Sequence, residues 1–225
     1  MGTLLADIWH WMIDLDTSIF LSVNSRHNAY WDTFMWLVSR KFVWVPFYAS
    51  IAYVIFRSYR WKVIVPCLLA MSLIFFITDS FSNDIVRPYV ARMRPGNLDN
   101  PLSVWVHIVD NHRGGRYGFP SCHAANAWGL ALFAWMLFRR SYLTLFMVGW
   151  AVLMCYSRLY LGVHYFGDAL VGMLIALVAS SGCYYVFRRL TGYQASQPLC
   201  DPYFPIFVGS ATILLFLLLS PFIPL

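Results

Sequence analysis

The chain has 225 residues, of which 60% are hydrophobic and only 12% are charged, and its formal net charge is +6. This composition is far more apolar than that of a soluble domain and predicts an integral membrane protein. The basic residues, nearly all arginine, are spread between apolar stretches and form no single stripe. Nucleic acid is therefore excluded as a partner, and the positive charge fits membrane lipids and an anionic lipid substrate.

The apolar stretches predict an all-α bundle of five or six membrane-spanning helices in one domain, residues 1–225, that begins with an interfacial helix and turn at 1–30. Three aspartates interrupt the apolar segment 4–23, so we expect this helix to lie at the membrane surface, anchored by Trp9 and Trp11. A polar turn at 24–32 follows, and residues 31–38 then lead into the membrane. The predicted spans are 42–56 with the residues before it, 63–77 extending to 86, 124–138, 142–156, 165–187 and, after a proline-containing loop at 194–205, 206–223.

Two polar segments, 87–123 and 157–168, are predicted to meet on one side of the membrane, because two spans separate them. The short loops on the other side carry Arg57, Arg60, Lys62, Arg139, Arg140, Arg188 and Arg189. Basic residues in short loops favour the cytoplasmic side. The sequence therefore predicts a bacterial inner-membrane protein whose polar segments face the periplasm.

The segment 157–168 places an arginine, a histidine and an aspartate inside an apolar tract, where ionisable groups are costly and mark function. If a helix begins near His164, then Asp168 lies one turn away on the same face. The carboxylate would then fix the tautomer of the imidazole and strengthen its other nitrogen as a nucleophile. Arg158 offers a planar fork of donors for an oxyanion. The alternative is a structural ion pair of Arg158 with Asp168, beside a satisfied histidine.

The segment 87–123 contains two further groups of polar residues. Arg87 and Arg94 lie seven residues apart, two helical turns, and each precedes a proline, so both are expected to point the same way. Their alternative role is to reach lipid phosphates from the ends of a span. Ser121, Cys122 and His123 come directly before an apolar run, where a helix start provides an anion cradle. Alone, they also fit a helix cap followed by a surface histidine.

Taken together, Arg-x6-Arg-Pro (87–95), Pro-Ser-Cys-His (120–123) and Ser-Arg-x5-His-x3-Asp (157–168) resemble the three-part signature of the type 2 phosphatidic acid phosphatase (PAP2) superfamily. That signature reads Lys-x6-Arg-Pro, Pro-Ser-Gly-His and Ser-Arg-x5-His-x3-Asp. The apolar stretches around it are similar to those of the membrane lipid phosphatase branch. The resemblance implies that His164 is the nucleophile that forms a phosphohistidine, that Asp168 holds its ring and that His123 is the general acid.

The resemblance also implies that Arg87, Arg94, Arg158, Ser121 and the backbone around Cys122 bind the phosphate. No metal or cofactor is implied, because the arginines supply the positive charge. Two positions depart from the family pattern. Arg87 replaces lysine, which exchanges a compact ammonium group for a wider, planar guanidinium group. Cys122 replaces glycine, so either the backbone there has ordinary dihedral angles or activity is reduced.

The predicted function is removal of a phosphate from a lipid phosphate or pyrophosphate that enters laterally between helices. Undecaprenyl pyrophosphate, lipid A phosphate, phosphatidylglycerol phosphate and phosphatidic acid are the candidate substrates that the resemblance implies. One alternative is phosphotransfer between lipids at the same site, and another is a non-catalytic lipid-binding or transport protein. A metal site built from His107, Asp110 and His112 is a further alternative, set against ordinary solvated loop residues.

Overall fold

A computed structural model describes residues 2–195, 200, 203–223 and 225, and the regular elements among these residues are helical. The α-helices are α1 Gly2–Asn24, α2 Ala29–Ser39, α3 Val45–Ser58, α4 Trp61–Ser80, α5 Arg87–Val90, α6 Cys122–Phe138, α7 Ser141–Tyr160, α8 Phe166–Thr191 and α9 Tyr203–Leu219. A π-helical turn, Phe81–Val86, joins α4 to α5, and 3₁₀ turns lie at Phe42–Trp44, Pro101–Trp105 and Ser220–Phe222. The predicted all-α architecture is confirmed.

Four helical segments are long and apolar enough to cross a membrane: Trp61–Val90, Ser141–Tyr160, Phe166–Thr191 and Tyr203–Phe222. Two shorter apolar helices, Phe42–Ser58 and Cys122–Phe138, bring the number of apolar helices in the described chain to six. A hydrocarbon core of about 30 Å needs about 20 helical residues. A shorter apolar helix can still cross where the bilayer becomes thinner around it. The protein is therefore an integral membrane protein, as its composition predicts.

Helix α6 lies in the middle of the bundle and packs against α4, α7 and α8. Small residues make this close packing possible, as is common between membrane helices. A Cβ atom added to Gly129 would lie 2.8 Å from a methyl carbon of Ile74 on α4, and one added to Gly172 on α8 would lie 2.6 Å from the carbonyl oxygen of Ser121. The start of α6 is thus pressed against the first turns of α8.

The N-terminal part of the chain differs from the prediction. The predicted helix at 4–23 is present as α1, but the polar turn is shorter than 24–32, because the Asn28 side chain accepts a hydrogen bond from Trp31 N and caps α2. Helix α2 stops at Ser39, where Arg40 is extended. Residues 31–38 therefore form a separate helix and do not lead directly into the first span, which starts anew at Phe42.

Two other predicted boundaries are wrong. The fourth predicted span, 142–156, stops too early, because α7 continues through Ser157 and Arg158 to Tyr160. The last span begins earlier than residue 206, since α9 starts at Tyr203. The predicted loop at 194–205 includes residues 196–199, 201 and 202, which lie outside the described residues.

The loops at the two ends of the bundle are tied together by different contacts. At one end, Tyr59 between α3 and α4 contacts the hydroxyl of Tyr193 after α8 at 3.2 Å, and Tyr193 donates to Leu137 O at 2.7 Å. At the other end, the backbone N–H of Ser121 donates to Asp168 O at 2.9 Å. The two polar segments, 87–123 and 157–168, therefore meet at one end, and the basic loops lie at the opposite end.

Candidate active site

His164 and Asp168 form a buried pair at the start of α8. The Nδ1 atom of His164 lies 3.2 Å from Oδ2 of Asp168, and the two residues are 2% and 1% exposed. The same carboxylate oxygen accepts a hydrogen bond from Tyr165 N at 3.0 Å. The helix begins at Phe166, two residues later than the sequence suggests, so Asp168 reaches back from its first turn to His164 in the preceding loop.

Arg94 contacts the other nitrogen of the same ring. Its Nη1 atom lies 3.0 Å from Nε2 of His164 and also donates to Val163 O at 3.0 Å. A guanidinium group can only donate hydrogen bonds. The Nε2 atom must therefore accept, and the ring proton belongs to Nδ1, where Asp168 receives it. This is the tautomer that leaves a lone pair on Nε2 for attack on a phosphorus atom.

The charge state of the ring is set by its surroundings. Burial lowers the pKa of His164 well below its usual value, and the positive charges of Arg94, Arg158 and Arg87 lower it further. Burial, together with Arg87, also lowers the pKa of Arg94 to about 10, which leaves Arg94 protonated at neutral pH. The site thus combines a neutral imidazole with a cationic guanidinium that can bind phosphate oxygens.

Stability is expected to fall as the pH drops below about 6.5, because the His164 ring stays neutral in the folded protein but binds a proton once the chain unfolds. Between the lower folded pKa and the ordinary unfolded pKa, the unfolded state holds the extra proton. The His164 ring then contributes a decrease in the free energy of unfolding of up to about 1.4 kcal/mol for each pH unit. Burial raises the pKa of Asp168 to about 6, and this carboxyl contributes with the opposite sign, so the His164 contribution is the difference between the wild type and His164→Asn. Thermal unfolding in detergent between about pH 7 and pH 5 measures the slope, and His164→Asn is the control. Equal slopes for both proteins would contradict this account.

Arg158 lies in the last turn of α7 and is 6% exposed. One end of its guanidinium, Nη1, donates to the hydroxyl of Ser39 on α2, while its Nε is buried without a hydrogen-bond partner among the described residues. The salt-bridge partners of Asp168 in this part of the chain are His164 and Arg92, the latter at 3.3 Å. The alternative prediction of a structural ion pair between Arg158 and Asp168 is therefore wrong, and Arg158 keeps a donor for an anion.

Ser121 and Cys122 start α6 beside this pair. Ser121 is fully buried and is the N-cap of the helix, since its Oγ accepts a hydrogen bond from Ala124 N at 3.4 Å. Its hydroxyl proton and the N–H groups of the first turn remain suited to an anion. Cys122 is the first residue of α6 and has ordinary helical geometry. The conformational freedom of glycine is therefore not needed at position 122.

Arg87 and Arg94 are brought together in a way that the sequence did not indicate. The helix ends at Val90, and Ala91 takes a left-handed conformation with φ of 47°. Only Arg87 is helical, so the prediction that both arginines share one helix face two turns apart is wrong. Their closeness instead follows from the turn at Ala91, after which Arg94 folds back towards His164.

The two departures from the family pattern contact each other. The Nη2 atom of Arg87 lies 3.3 Å from Sγ of Cys122 and donates to Pro120 O at 3.2 Å. The Nη1 atom of Arg87 donates a hydrogen bond to Oδ1 of Asn83. The same oxygen accepts a hydrogen bond from the thiol of Cys122 at 3.4 Å. A longer side chain at 87 is therefore held by a larger side chain at 122.

We expect the substitutions Arg87→Lys and Cys122→Gly to be non-additive, because each removes the partner of the other. Their coupling in kcat/KM is expected to be about 0.5–3 kcal/mol, as for residues in contact. In the Cys122→Gly background, Arg87→Lys should therefore cost less activity than it does alone. A complete double-mutant cycle measures this coupling. The pair Arg189→Lys with Cys183→Gly, at the opposite end of the bundle from residues 87 and 122, provides an additive reference.

His123, in the first turn of α6, faces a cavity of about 410 Å³ inside the bundle. Its ring lies within electrostatic reach of His164 and Arg158, which places both histidines at the same end of the protein. Besides His123, the polar residues of the cavity lining are Lys41, Asp79 and Asn126. Its apolar lining is formed by Tyr48, Ile51, Met71, Phe75, Ala127, Leu130, Trp150 and Met154.

The alternative metal site at His107, Asp110 and His112 does not form. No group of three or more histidine, cysteine or acidic side chains suited to a metal occurs in the described ranges. His107 instead contacts Asp32 at 3.0 Å and stacks on His27, with ring centroids 3.6 Å apart. His107 therefore links α2 to the loop before α6.

Residues near the site that the sequence did not indicate come from the end of α2, the turn after it and the loop after α5. Ser39 binds Arg158, Lys41 lines the cavity beside His123, and Arg92 contacts Asp168. None of these residues follows a pattern of spacing, and each is more than 70 positions from its partner in the chain. Only the folded bundle brings them to the site.

Comparison with known proteins agrees with this geometry. The sequence profile of the PAP2 superfamily matches residues 66–191. A lipid A 4′-phosphatase of Bacteroides thetaiotaomicron is 42% identical over 187 residues, which cover 83% of each chain. A lipid A 4′-phosphatase of Porphyromonas gingivalis is 32% identical over 192 residues, which cover 84% of this chain and 80% of the relative.

Two crystal structures share the fold. LpxE of Aquifex aeolicus is 21% identical with a TM-score of 0.54, and the match covers 76% of this chain and 95% of LpxE. A transmembrane PAP2-type phosphatidylglycerolphosphate phosphatase of Bacillus subtilis is also 21% identical, with a TM-score of 0.59 and coverage of 85% and 94%. At this level of identity the two structures support the fold of the chain.

Proposed function

The chain belongs to the PAP2 superfamily and is a membrane lipid phosphatase, and from this premise we propose that it removes the 4′-phosphate of lipid A through a phosphohistidine intermediate. The observation that carries the reaction is the ring of His164, which is held through Nδ1 by Asp168 and presents Nε2 next to Arg94. The substrate is supported by the two relatives named as lipid A 4′-phosphatases, which match more than four fifths of the chain.

In the first step, Nε2 of His164 attacks the phosphorus atom, and the bond between phosphorus and the sugar oxygen breaks. His123 donates a proton to the departing oxygen, which would otherwise leave as an unstable alkoxide. The ring of His164 becomes positively charged as the new bond forms, and the carboxylate of Asp168 stabilises that charge through Nδ1–H. The products of this step are the dephosphorylated lipid and a phosphohistidine.

In the second step, water attacks the phosphohistidine, His123 accepts a proton from that water, and inorganic phosphate leaves with His164 neutral again. Both transition states carry negative charge on the phosphoryl oxygens. We assign the stabilisation of this charge to Arg94, Arg158 and Arg87. This assignment is supported by the buried Nε atoms of Arg158 and Arg87, which are donors without a partner in the described chain.

The cavity beside His123 supports a lipid as the substrate. Its volume of about 410 Å³ and its apolar lining between α3, α4, α6 and α7 suit a hydrocarbon chain attached near the phosphate. Lys41 and Asp79 on its wall offer a positive and a negative group to a polar sugar. A substrate from the membrane would thus place its acyl chain among the helices and its phosphate between the two histidines.

The proposed substrate is tested with purified protein in detergent and a panel of pure lipids. The panel holds lipid A with phosphates at both ends, undecaprenyl pyrophosphate, phosphatidylglycerol phosphate and phosphatidic acid, with His164→Ala as the blank. We expect the highest kcat/KM for lipid A, and fragmentation in the mass spectrometer should show that the phosphate on the 4′ side is lost. A higher kcat/KM for another lipid, or loss of the phosphate at the other end, would refute the proposed specificity.

We also propose that the protein lies in the bacterial inner membrane with the site on the periplasmic face. The basic loops at the opposite end of the bundle support this orientation through the positive-inside rule. A cysteine introduced at Asn111, near the site, should react with a membrane-impermeant maleimide in intact spheroplasts of a variant without native cysteines. A cysteine introduced at Arg139 should react only after lysis, and the reverse pattern would invert the proposed orientation.

A further inference from the structure

The N-terminal helix α1 is docked beside the proposed catalytic pair by its second half. From Leu4 to Leu15 its described side chains are exposed, whereas Phe20 is fully buried and packs edge-on against Tyr165, with ring centroids 5.3 Å apart. At the end of the helix, Asn24 is 1% exposed and donates to the carbonyl oxygens of His107 and Tyr160. These contacts fix the second half of α1 against the loop and helix that carry His164.

One acidic residue of α1 reaches directly into this region. The Oδ1 atom of Asp16 accepts a hydrogen bond from Gly167 N at 2.7 Å, in the first turn of α8. Its Oδ2 atom lies 2.6 Å from Nη1 of Arg92, and the same Nη1 lies 3.3 Å from Oδ1 of Asp168. Arg92 also stacks on the ring of Tyr165 at 3.8 Å. A continuous chain of polar contacts thus runs from α1 to the carboxylate that holds His164.

We propose that Asp16 is a positioning residue, which acts through Arg92 to hold Asp168 and thereby to orient the ring of His164 for attack on phosphorus. The inference rests on the proposed roles of His164 and Asp168. Arg92 alone could turn either to Asp168 or towards the negative phosphate of the substrate. The second carboxylate at Asp16 anchors Arg92, so that the arginine stays beside Asp168 in the free and the phosphate-bound enzyme.

The position of Asp16 suits this role for two physical reasons. Asp16 and Arg92 have side chains that are only 12% and 24% exposed, so water screens their interaction less than at the surface. The carboxylate also caps the start of α8, where the helix dipole favours negative charge. Asp16 is therefore held from two sides, which makes it a firm anchor for Arg92.

The first test compares Asp16→Asn with Asp14→Asn. Asp14 is an exposed acid on the same helix with no salt bridge among the described residues, so its substitution removes the same charge without the contact. We expect Asp16→Asn to lower kcat for lipid phosphate by about tenfold to a hundredfold with KM unchanged, as for the loss of an orienting partner. Asp14→Asn should match the wild type.

A double-mutant cycle tests whether Asp16 acts through Arg92. The double variant Asp16→Asn/Arg92→Gln should be no slower than Arg92→Gln alone, because the anchor has nothing left to hold. Independent, additive losses would overturn the proposal. If His164→Ala is inactive and Asp16→Asn has the wild-type kcat, this inference fails alone, whereas an active His164→Ala refutes the proposed catalytic roles.

A second variant guards against loss of folding in Asp16→Asn. A Cβ atom added to Gly167 would lie 2.9 Å from Oδ2 of Asp16, so Gly167→Ala displaces the carboxylate and leaves both charges in the protein. Alanine also favours the helix over glycine by up to about 1 kcal/mol, which offsets part of the stability lost with the Asp16 contact, so we expect Gly167→Ala to remain folded. We expect kcat to fall as in Asp16→Asn, and a wild-type kcat for Gly167→Ala would overturn the proposed positioning role.

Discussion

Replacing His164 with alanine is expected to lower phosphate release by on the order of 10⁴-fold or more, because the reaction loses its nucleophile. The ring is fully enclosed, and no other imidazole in the described residues is held between a carboxylate and an arginine as His164 is. Phosphate release from the purified variant measures the loss. A parallel experiment with radiolabelled lipid phosphate should yield an acid-labile, base-stable phosphoprotein from the wild type and none from the variant.

The controls for His164→Ala separate chemistry from folding. Removing the ring leaves Asp168 and Arg94 buried without it, which costs stability as well as activity. His164→Asn retains a polar side chain at this position and should be equally inactive while it elutes as the folded protein from size-exclusion chromatography in detergent. His10→Ala, an exposed position on α1, should keep full activity. A folded and active His164→Asn would exclude the histidine as the nucleophile.

The second large effect is expected at His123, whose replacement by alanine should lower kcat for a lipid substrate by about 10²- to 10⁴-fold. The departing sugar oxygen is a poor leaving group and needs the proton that His123 supplies. An aryl phosphate such as para-nitrophenyl phosphate leaves readily without protonation, so formation of the phosphohistidine from it should be much less affected. Pre-steady-state release of the leaving group from the two substrates gives the comparison.

The outcome at His123 distinguishes a general acid from a residue that only binds phosphate. If His123 served mainly to hold phosphate oxygens, its loss would slow both substrates by the same factor. His112 is exposed and does not line the cavity beside His123. His112→Ala is therefore the reference for the loss of a histidine outside that cavity. Equal losses for the lipid and aryl phosphates in His123→Ala would thus remove the proposed role in protonation.

The features that could be predicted from the sequence are those that depend on neighbours in the chain. The contact of His164 with Asp168 needs only four residues of separation and a nearby helix start, so a shift of two residues in the start of α8 left it intact. The apolar stretches likewise indicated the six apolar helices of the described chain and their order. The meeting of the two polar segments followed from topology, since two spans lie between them, and the hydrogen bond from Ser121 N to Asp168 O is one contact at which they meet.

The predictions that failed are those in which one backbone angle or one cap changes the path of the chain. The left-handed conformation of Ala91 ends the helix between Arg87 and Arg94. Alanine at this position does not predict such an end, because the left-handed conformation is typical of glycine or asparagine. The cap at Asn28 and the extended Arg40 likewise make α2 a separate helix. Intrinsic preferences for helix or turn differ by about 1 kcal/mol or less between ordinary residues, and packing against the bundle outweighs them.

Sequence by itself determined that this protein is a helical membrane protein with a phosphate-binding signature, because burial in a bilayer and reaction with a phosphate each demand particular residue types at short spacing. Only the tertiary structure decided how the site is supported. The anchoring of Arg158 by Ser39, and of Arg92 by Asp16, joins residues that are 119 and 76 positions apart. Such contacts exist only where separate helices are packed together, because nothing in the spacing of either partner specifies the other.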